Sequence, residues 1–165
     1  MFQKVLIANR GEIAVRIQRT LKRLGVESVA IYSDADRESR HVLDADHAIA
    51  LGGLTPAESY LNADAVLAAA RSCVSANHKN QSGGLIGIHP GYGFLSENAA
   101  FAEACAREGF TFIGPTPDQL RDFGLKHTAR ELAEKSAVPL LPGSALLADF
   151  NAARDAAARV AYPVM

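Results

Sequence analysis

Apolar runs of strand length alternate along this chain with longer stretches of helical period. That alternation predicts βαβ units laid into a mainly parallel sheet. Residues 5–9 read as the first strand. The next stretch places Ile13, Ile17, Leu21 and Leu24 on one face and Arg16, Arg19, Lys22 and Arg23 largely elsewhere, the spacing of an amphipathic helix, and Gly25 ends it. Residues 28–33 and 47–51 predict a second and a third strand across an acidic, turn-rich crossover. Residues 62–72 predict a helix, 85–89 a strand, 99–109 a helix built on Phe101 and Ala104, and 110–114 a further strand. Right-handed crossovers put these strands in one open, doubly wound α/β sheet.

Pro115 and Pro117 mark a change of composition, and the domain boundary is placed there, giving residues 1–115 and 116–165. Two helical stretches separated by residues 138–143 are expected beyond it, followed by the alanine-rich segment 149–161. The apolar residues 162–165 read as the opening of a strand. An unpaired hydrophobic edge is rarely how a domain ends, so the chain is expected to be a fragment of a longer one. The polar, glycine-bearing tract 75–84 reads as a surface loop. No internal repeat or low-complexity segment is present.

A length of 165 residues suits one well-cored domain, or one domain and part of another. The 17 Lys and Arg nearly balance the 18 Asp and Glu for a net charge of -1, which leaves no broad basic field for nucleic acid. No apolar run approaches the roughly 18 to 20 residues of a membrane span, and the N-terminal run breaks too early for a secretory signal. A soluble, cytoplasmic protein with no membrane partner is expected. Cys73 and Cys105 fall in predicted helices without a CxxC pattern and read as free thiols.

Candidate chemistry concentrates where strands give way to helices. Residues 87–98, GIHPGYGFLSEN, end one strand and begin one helix, the place where α/β domains put ligands. Gly91 and Gly93 let the backbone bend and come close to a small molecule, Pro90 stiffens the approach, and Tyr92 stands between the glycines. The plainer alternative is a tight turn whose helix is capped by Ser96, with Glu97 at its start. His89 is open as a metal ligand or general base, but it has no second ligand at metal spacing, which favours a structural role. Asn9, Arg10 and Gly11 precede another helix N-terminus, where free N–H groups can hold an anion. Turn stabilisation and a surface cation explain them equally well. A single glycine there is weak support for a dinucleotide turn, although Asp34 and Asp36 fall about 20 residues on, near where a ribose-binding acid would lie. The residues alone therefore leave open an NAD-binding oxidoreductase domain and a non-catalytic association module.

In order along the chain, IANRGEIA (7–14), GIHPGYGFLSEN (87–98) and FIGP (112–115) resemble the N-terminal domain of biotin carboxylases. AIYSDAD (30–36), HVLDADHAIAL (41–51), SYLN (59–62) and GLKHTARELAEKSAVPLLPG (124–143) extend the resemblance over nearly the whole sequence. It implies a Rossmann-like doubly wound parallel sheet, the pre-ATP-grasp domain, followed by the truncated start of an ATP-grasp domain. It further implies an ATP-dependent carbon-nitrogen ligase. MgATP activates bicarbonate as a carboxyphosphate, and the N1 nitrogen of biotin on a carrier domain is then carboxylated. ATP, Mg2+ and biotin are thus the implied cofactors and bicarbonate a substrate. Downstream ATP-grasp, carboxyltransferase and biotin carrier domains are the implied partners.

At the matched positions, the resemblance implies that Lys126 reaches ATP phosphates and that Tyr92 and Gly93 lie beside the ureido ring of biotin. It implies that the IANRGEIA turn helps build the floor of the cleft, and that Arg16 and Arg19 sit at a homodimer interface. Arg23 departs from the pattern, standing where bacterial members can carry an acid that pairs across that interface. The glycine-rich ATP lid, a second lysine, the metal-binding acids and the bicarbonate-binding residues would all follow Met165. No catalytic or metal-ligating residue is therefore expected in this segment, which alone should be inactive. Residues 123–144 look most like urea carboxylase, the component of urea amidolyase that passes the carboxyl to urea. Acyl-CoA and pyruvate carboxylases share the major motifs, and no residue here reads the acceptor directly.

Overall fold

The computed structural model describes residues 2–74 and 86–164. Its sheet holds β1 (Lys4–Ile7), β2 (Glu27–Tyr32), β3 (His47–Ala50), β4 (Ile86–His89) and β5 (Thr111–Phe112). All pairings are parallel and the spatial order is β3-β2-β1-β4-β5. In the central strand, Lys4 lies opposite Glu27 and Ile86, and Ile7 opposite Ala30 and His89. The chain builds outward through β2 and β3, then returns to the other side of β1 for β4 and β5. Connections leaving β1 and β4 consequently diverge, and a crevice opens at their C-terminal ends. The expected doubly wound sheet is present, and its reversal point sets the site.

Successive side chains of a strand point to opposite faces, and each face has its own core. On one, Val5 and Ile7 pack with Ala14, Ile17 and Leu21 of α1 (Gly11–Leu24). On the other, Leu6, Val29, Ile31 and Ile88 pack with Val66 and Ala70 of α3 (Ala63–Ser72) and Phe101 and Cys105 of α4 (Ala99–Arg107). Burial on both faces explains why the strands read as nearly continuous apolar runs. The short α2 (Arg40–Leu43) precedes β3. Both cysteines are free, and burial pushes the Cys105 thiol up to about 12.

Leu24 was expected on the buried face of α1, yet it is 57 % exposed. The helix ends beside it at Gly25, left-handed with φ 68°, and Val26 beyond that turn joins the buried cluster instead. Gln18 is buried in its place on the α1 face, its amide donating to the His41 carbonyl at 2.6 Å. The cap of α4 is also corrected. Asn98, not Ser96 or Glu97, accepts the Phe101 N–H at 2.9 Å. Ser96 and Glu97 belong to the preceding turn, closed by Ser96 N–H donating to the Gly93 carbonyl.

The chain divides into two compact units, Met1–Leu120 and Arg121–Met165. Helix α5 (Pro117–Gly124) runs across the division, and α6 (Lys126–Lys135) and α7 (Phe150–Val160) lie in the second unit. Within that unit Arg130 donates to the Leu141 carbonyl and pairs with Glu134 one turn on, and Asp149 caps α7. Tyr162 and Pro163 form a bend and Val164 is irregular, so the described part of 162–165 is not the expected strand. A strand exists only within a ladder, and the described sheet ends at β3 and β5. The loop expected over residues 75–84 lies outside the described residues. No described helix is long and apolar enough to cross a membrane.

Candidate functional site

Two connections meet at the reversal point of the sheet: the turn from β1 into α1, and the loop from β4 towards α4. Between them lies a cavity of about 370 Å³ lined by residues 9–13 and 92–94. The motifs IANRGEIA and HPGYG, some 80 positions apart, therefore form one site.

Asn9 ties the two connections together. Its side chain is buried, and Nδ2 donates to the carbonyls of Pro90 at 2.8 Å and Tyr92 at 2.7 Å. Its Oδ1 accepts the Arg10 N–H at 2.9 Å. Two carbonyls can only accept, so these partners fix which end of the amide faces the loop. Gly91 makes this approach possible. A Cβ there would lie 2.7 Å from Asn9 Nδ2, on a backbone already at φ +66°. Gly93 is different: φ is +65°, but a Cβ would meet nothing within 4 Å. Its requirement is conformational, and the space beside it is open to a ligand.

Behind the cavity, Arg10 Nε and Nη2 each donate to Asp36 at 2.6 Å, a two-pronged fork from guanidinium to carboxylate. Asp36 is buried and also accepts from the Tyr60 hydroxyl at 2.7 Å, Ser33 Oγ at 3.2 Å and Ser39 Oγ at 3.3 Å. Arg10 foremost holds its carboxyl well below the usual carboxylate range, against the opposing pull of burial. Asp36, suggested by the sequence as a ribose-binding acid, is thus committed to the protein. Asp34 is exposed and faces Arg37.

Tyr92 is 60 % exposed, and its hydroxyl donates to the Glu12 carboxylate in the first turn of α1. That carboxylate raises the phenol above its ordinary range, so the proton stays on the oxygen at neutral pH. The hydroxyl is thus engaged within the protein, while the ring borders the cavity. The next residue, Phe94, sits at φ 43° and stacks on Tyr60 with ring centroids 5.2 Å apart. Tyr60 hence supports both Asp36 and the loop. His89 accepts the Gly91 N–H at Nδ1, and burial pushes it below the usual imidazole range. Among the described residues no group of three or more His, Cys, Asp or Glu could hold a metal ion.

Within the first unit, Arg16 and Arg19 are not among the residues that line this cavity. Lys126 lies in the second unit, exposed, as the first residue of α6. Arg16 and Arg19 project from exposed positions on α1, with Arg16 donating to Thr20. The roles of Glu12, Ser33, Ser39 and Tyr60 were not read from the sequence. Ser33 and Tyr60 fall within AIYSDAD and SYLN and Glu12 within IANRGEIA, whereas Ser39 falls in no motif, and nothing local states that Ser33, Ser39 and Tyr60 converge on Asp36.

A family model described as the biotin carboxylase N-terminal domain matches residues 1–120. Urea amidolyase of Lachancea kluyveri is 52% identical over 164 residues, which are 99% of this chain and 8% of that protein. A biotin carboxylase of Halalkalibacterium halodurans is 49% identical over 166 residues, covering 100% of this chain and 34% of the relative. Among solved structures, the biotin carboxylase domain dimer of Hydrogenobacter thermophilus 2-oxoglutarate carboxylase, in complex with MgADP, ADP and bicarbonate, is 41% identical. It superposes with a TM-score of 0.84, over 99% of this chain and 34% of that one. The chain thus spans about a third or less of the length of these relatives. With its sheet order, its joined motifs and a family match over most of its length, the chain belongs to the biotin carboxylase N-terminal domain family.

Proposed function

We propose that the protein containing this chain uses MgATP and bicarbonate to carboxylate biotin on a carrier domain, and passes the carboxyl to urea. The observation that carries this reading is the cavity where the two family motifs meet, with the Tyr92 ring and the open side of Gly93 on its wall. In it, the Tyr92 ring packs against the biotin head, Glu12 holds the phenol so that the ring keeps its angle, and Gly93 admits close backbone approach. Bound MgATP supplies the activation of bicarbonate, and biotin the nitrogen that accepts the carboxyl. Lys126 delivers a point charge to the ATP phosphates. Its position supports that role: a cation at a helix N-terminus gains nothing from the helix dipole, and the first turn of α6 carries no acid. An anion bound there would be favoured by both. Residues 1–115 serve as the pre-ATP-grasp domain and 116–165 begin the ATP-grasp domain. Arg16 and Arg19 face solvent and are available to a second copy. Urea as acceptor is supported by the similarity to urea amidolyase. This segment alone turns nothing over, because one wall of a cleft cannot position a reacting phosphate.

Steady-state kinetics of the full-length protein with free biotin test the assignments. Lys126→Ala is expected to raise the KM for ATP about tenfold and leave that for biotin unchanged, while Tyr92→Ala raises the KM for biotin more than that for ATP. Wild-type constants in both variants would overturn them.

A further inference from the structure

We infer that Asn9 is a positioning residue for the site: it holds the loop of residues 90–94 in the one shape that presents Tyr92 and Gly93 to the cavity. The inference rests on the reading of the cavity as the biotin site. The loop does not hold this shape unaided: Gly91 and Gly93 are free to take many others, and Phe94 sits at φ 43°, which a residue with a side chain rarely adopts. Backbone in sparsely populated conformations persists only where its surroundings determine it. Here the determinant is chemical. The carbonyls of Pro90 and Tyr92, flanking Gly91, converge on a single nitrogen, which must supply two N–H donors from a buried position. A primary amide meets that demand; a hydroxyl has only one donor, and a carboxylate has none.

The posture of Asn9 is itself fixed. Its Oδ1 takes the Arg10 N–H, and the Arg10 side chain is forked onto Asp36 in the short turn that follows β2. Tyr60 donates to that same carboxylate and stacks on Phe94, the far end of the loop. The loop is therefore held at both ends from one network, and Asn9 is its only side-chain link to the Pro90 and Tyr92 carbonyls among the described residues. A purely structural asparagine would lower stability when replaced and leave the relation between substrates untouched. A positioning asparagine separates them.

The test uses the full-length enzyme with Asn9→Ala and Asn9→Asp, and Tyr92→Ala as reference, each assayed with free biotin and with ATP. Both Asn9 variants are expected to raise the KM for biotin about tenfold, the effect of losing roughly one net hydrogen bond, with the KM for ATP within about twofold of wild type. Asn9→Asp keeps the shape of asparagine, so it carries the test if the alanine variant fails to fold. A carboxylate supplies no donor to the two carbonyls, so Asn9→Asp should show the same biotin defect as Asn9→Ala. A biotin KM unchanged in the Asn9 variants, or ATP and biotin constants rising together, overturns the positioning role while a raised biotin KM in Tyr92→Ala leaves the site reading standing. An unchanged biotin KM in Tyr92→Ala overturns the site reading and this inference with it.

Discussion

Asp36→Ala is expected to lower the unfolding free energy of this chain by about 3 kcal/mol, read from urea unfolding followed by far-ultraviolet circular dichroism. The side chain is buried and serves as the shared acceptor of Arg10, Tyr60, Ser33 and Ser39. Its removal leaves a buried tyrosine hydroxyl and two serine hydroxyls short of a partner. The Arg10 side chain is 48% exposed and can turn to water, which keeps the cost at the lower end for a broken buried ion pair. Asp34→Ala, two residues away on the surface and facing Arg37 at 3.5 Å, should change stability by no more than about 0.5 kcal/mol. Acid provides a second readout. Because the Asp36 carboxyl ionises below its ordinary range when folded, its contribution is complete above about pH 4 and is lost as pH falls through the folded value. The gap between wild type and Asp36→Ala should accordingly narrow between about pH 4 and pH 2. A gap that stays constant with pH would mean that the charge of Asp36 is not what stabilises the fold.

Phe101→Ala should cost about 4 kcal/mol by the same measurement. The ring is 1% exposed in α4, lies among Leu6, Val66 and Ile88 in the larger core, and meets Phe112 edge-on at 6.1 Å. Truncation removes an aromatic contact and leaves a cavity that the flanking strand and helices cannot fill without moving. Leu24→Ala, at a position 57 % exposed, should cost less than about 0.5 kcal/mol. Similar losses for the two would contradict the packing of α4 against this face of the sheet.

The parts of the fold carried by local signals were legible in the sequence. Alternating apolar runs and helical stretches gave the parallel sheet, and Gly25 gave the end of the first helix, because strand burial and a left-handed turn leave marks on the residues concerned. The two motifs of the site were visible for the same reason: glycines at 91 and 93 announce a positive φ. Their union was not, since Asn9 and Tyr92 are brought together only by the pairing of β1 with β4. The fork between Arg10 and Asp36 needed the adjacent pairing of β1 with β2. Tyr60 read as one member of a short motif, whereas its ring and hydroxyl join the loop to that ion pair. The displaced cap of α4 was a local error. Ser96 and Asn98 are both good capping residues, and the turn that runs through Ser96 and Glu97 decides between them by delaying the helix to Ala99, which leaves Asn98 at the cap position. Leu24 fitted the helical period and was exposed because the helix stops beside it.

The most direct test of the proposed function supplies the full-length protein with isotopically labelled bicarbonate, MgATP and free biotin, and measures the label on biotin. Label transferred to biotin only when MgATP is present, and lost from it when urea is added, is expected. No label on biotin with all three supplied would contradict the proposed carboxylation, and label that is retained with urea present would contradict urea as the acceptor.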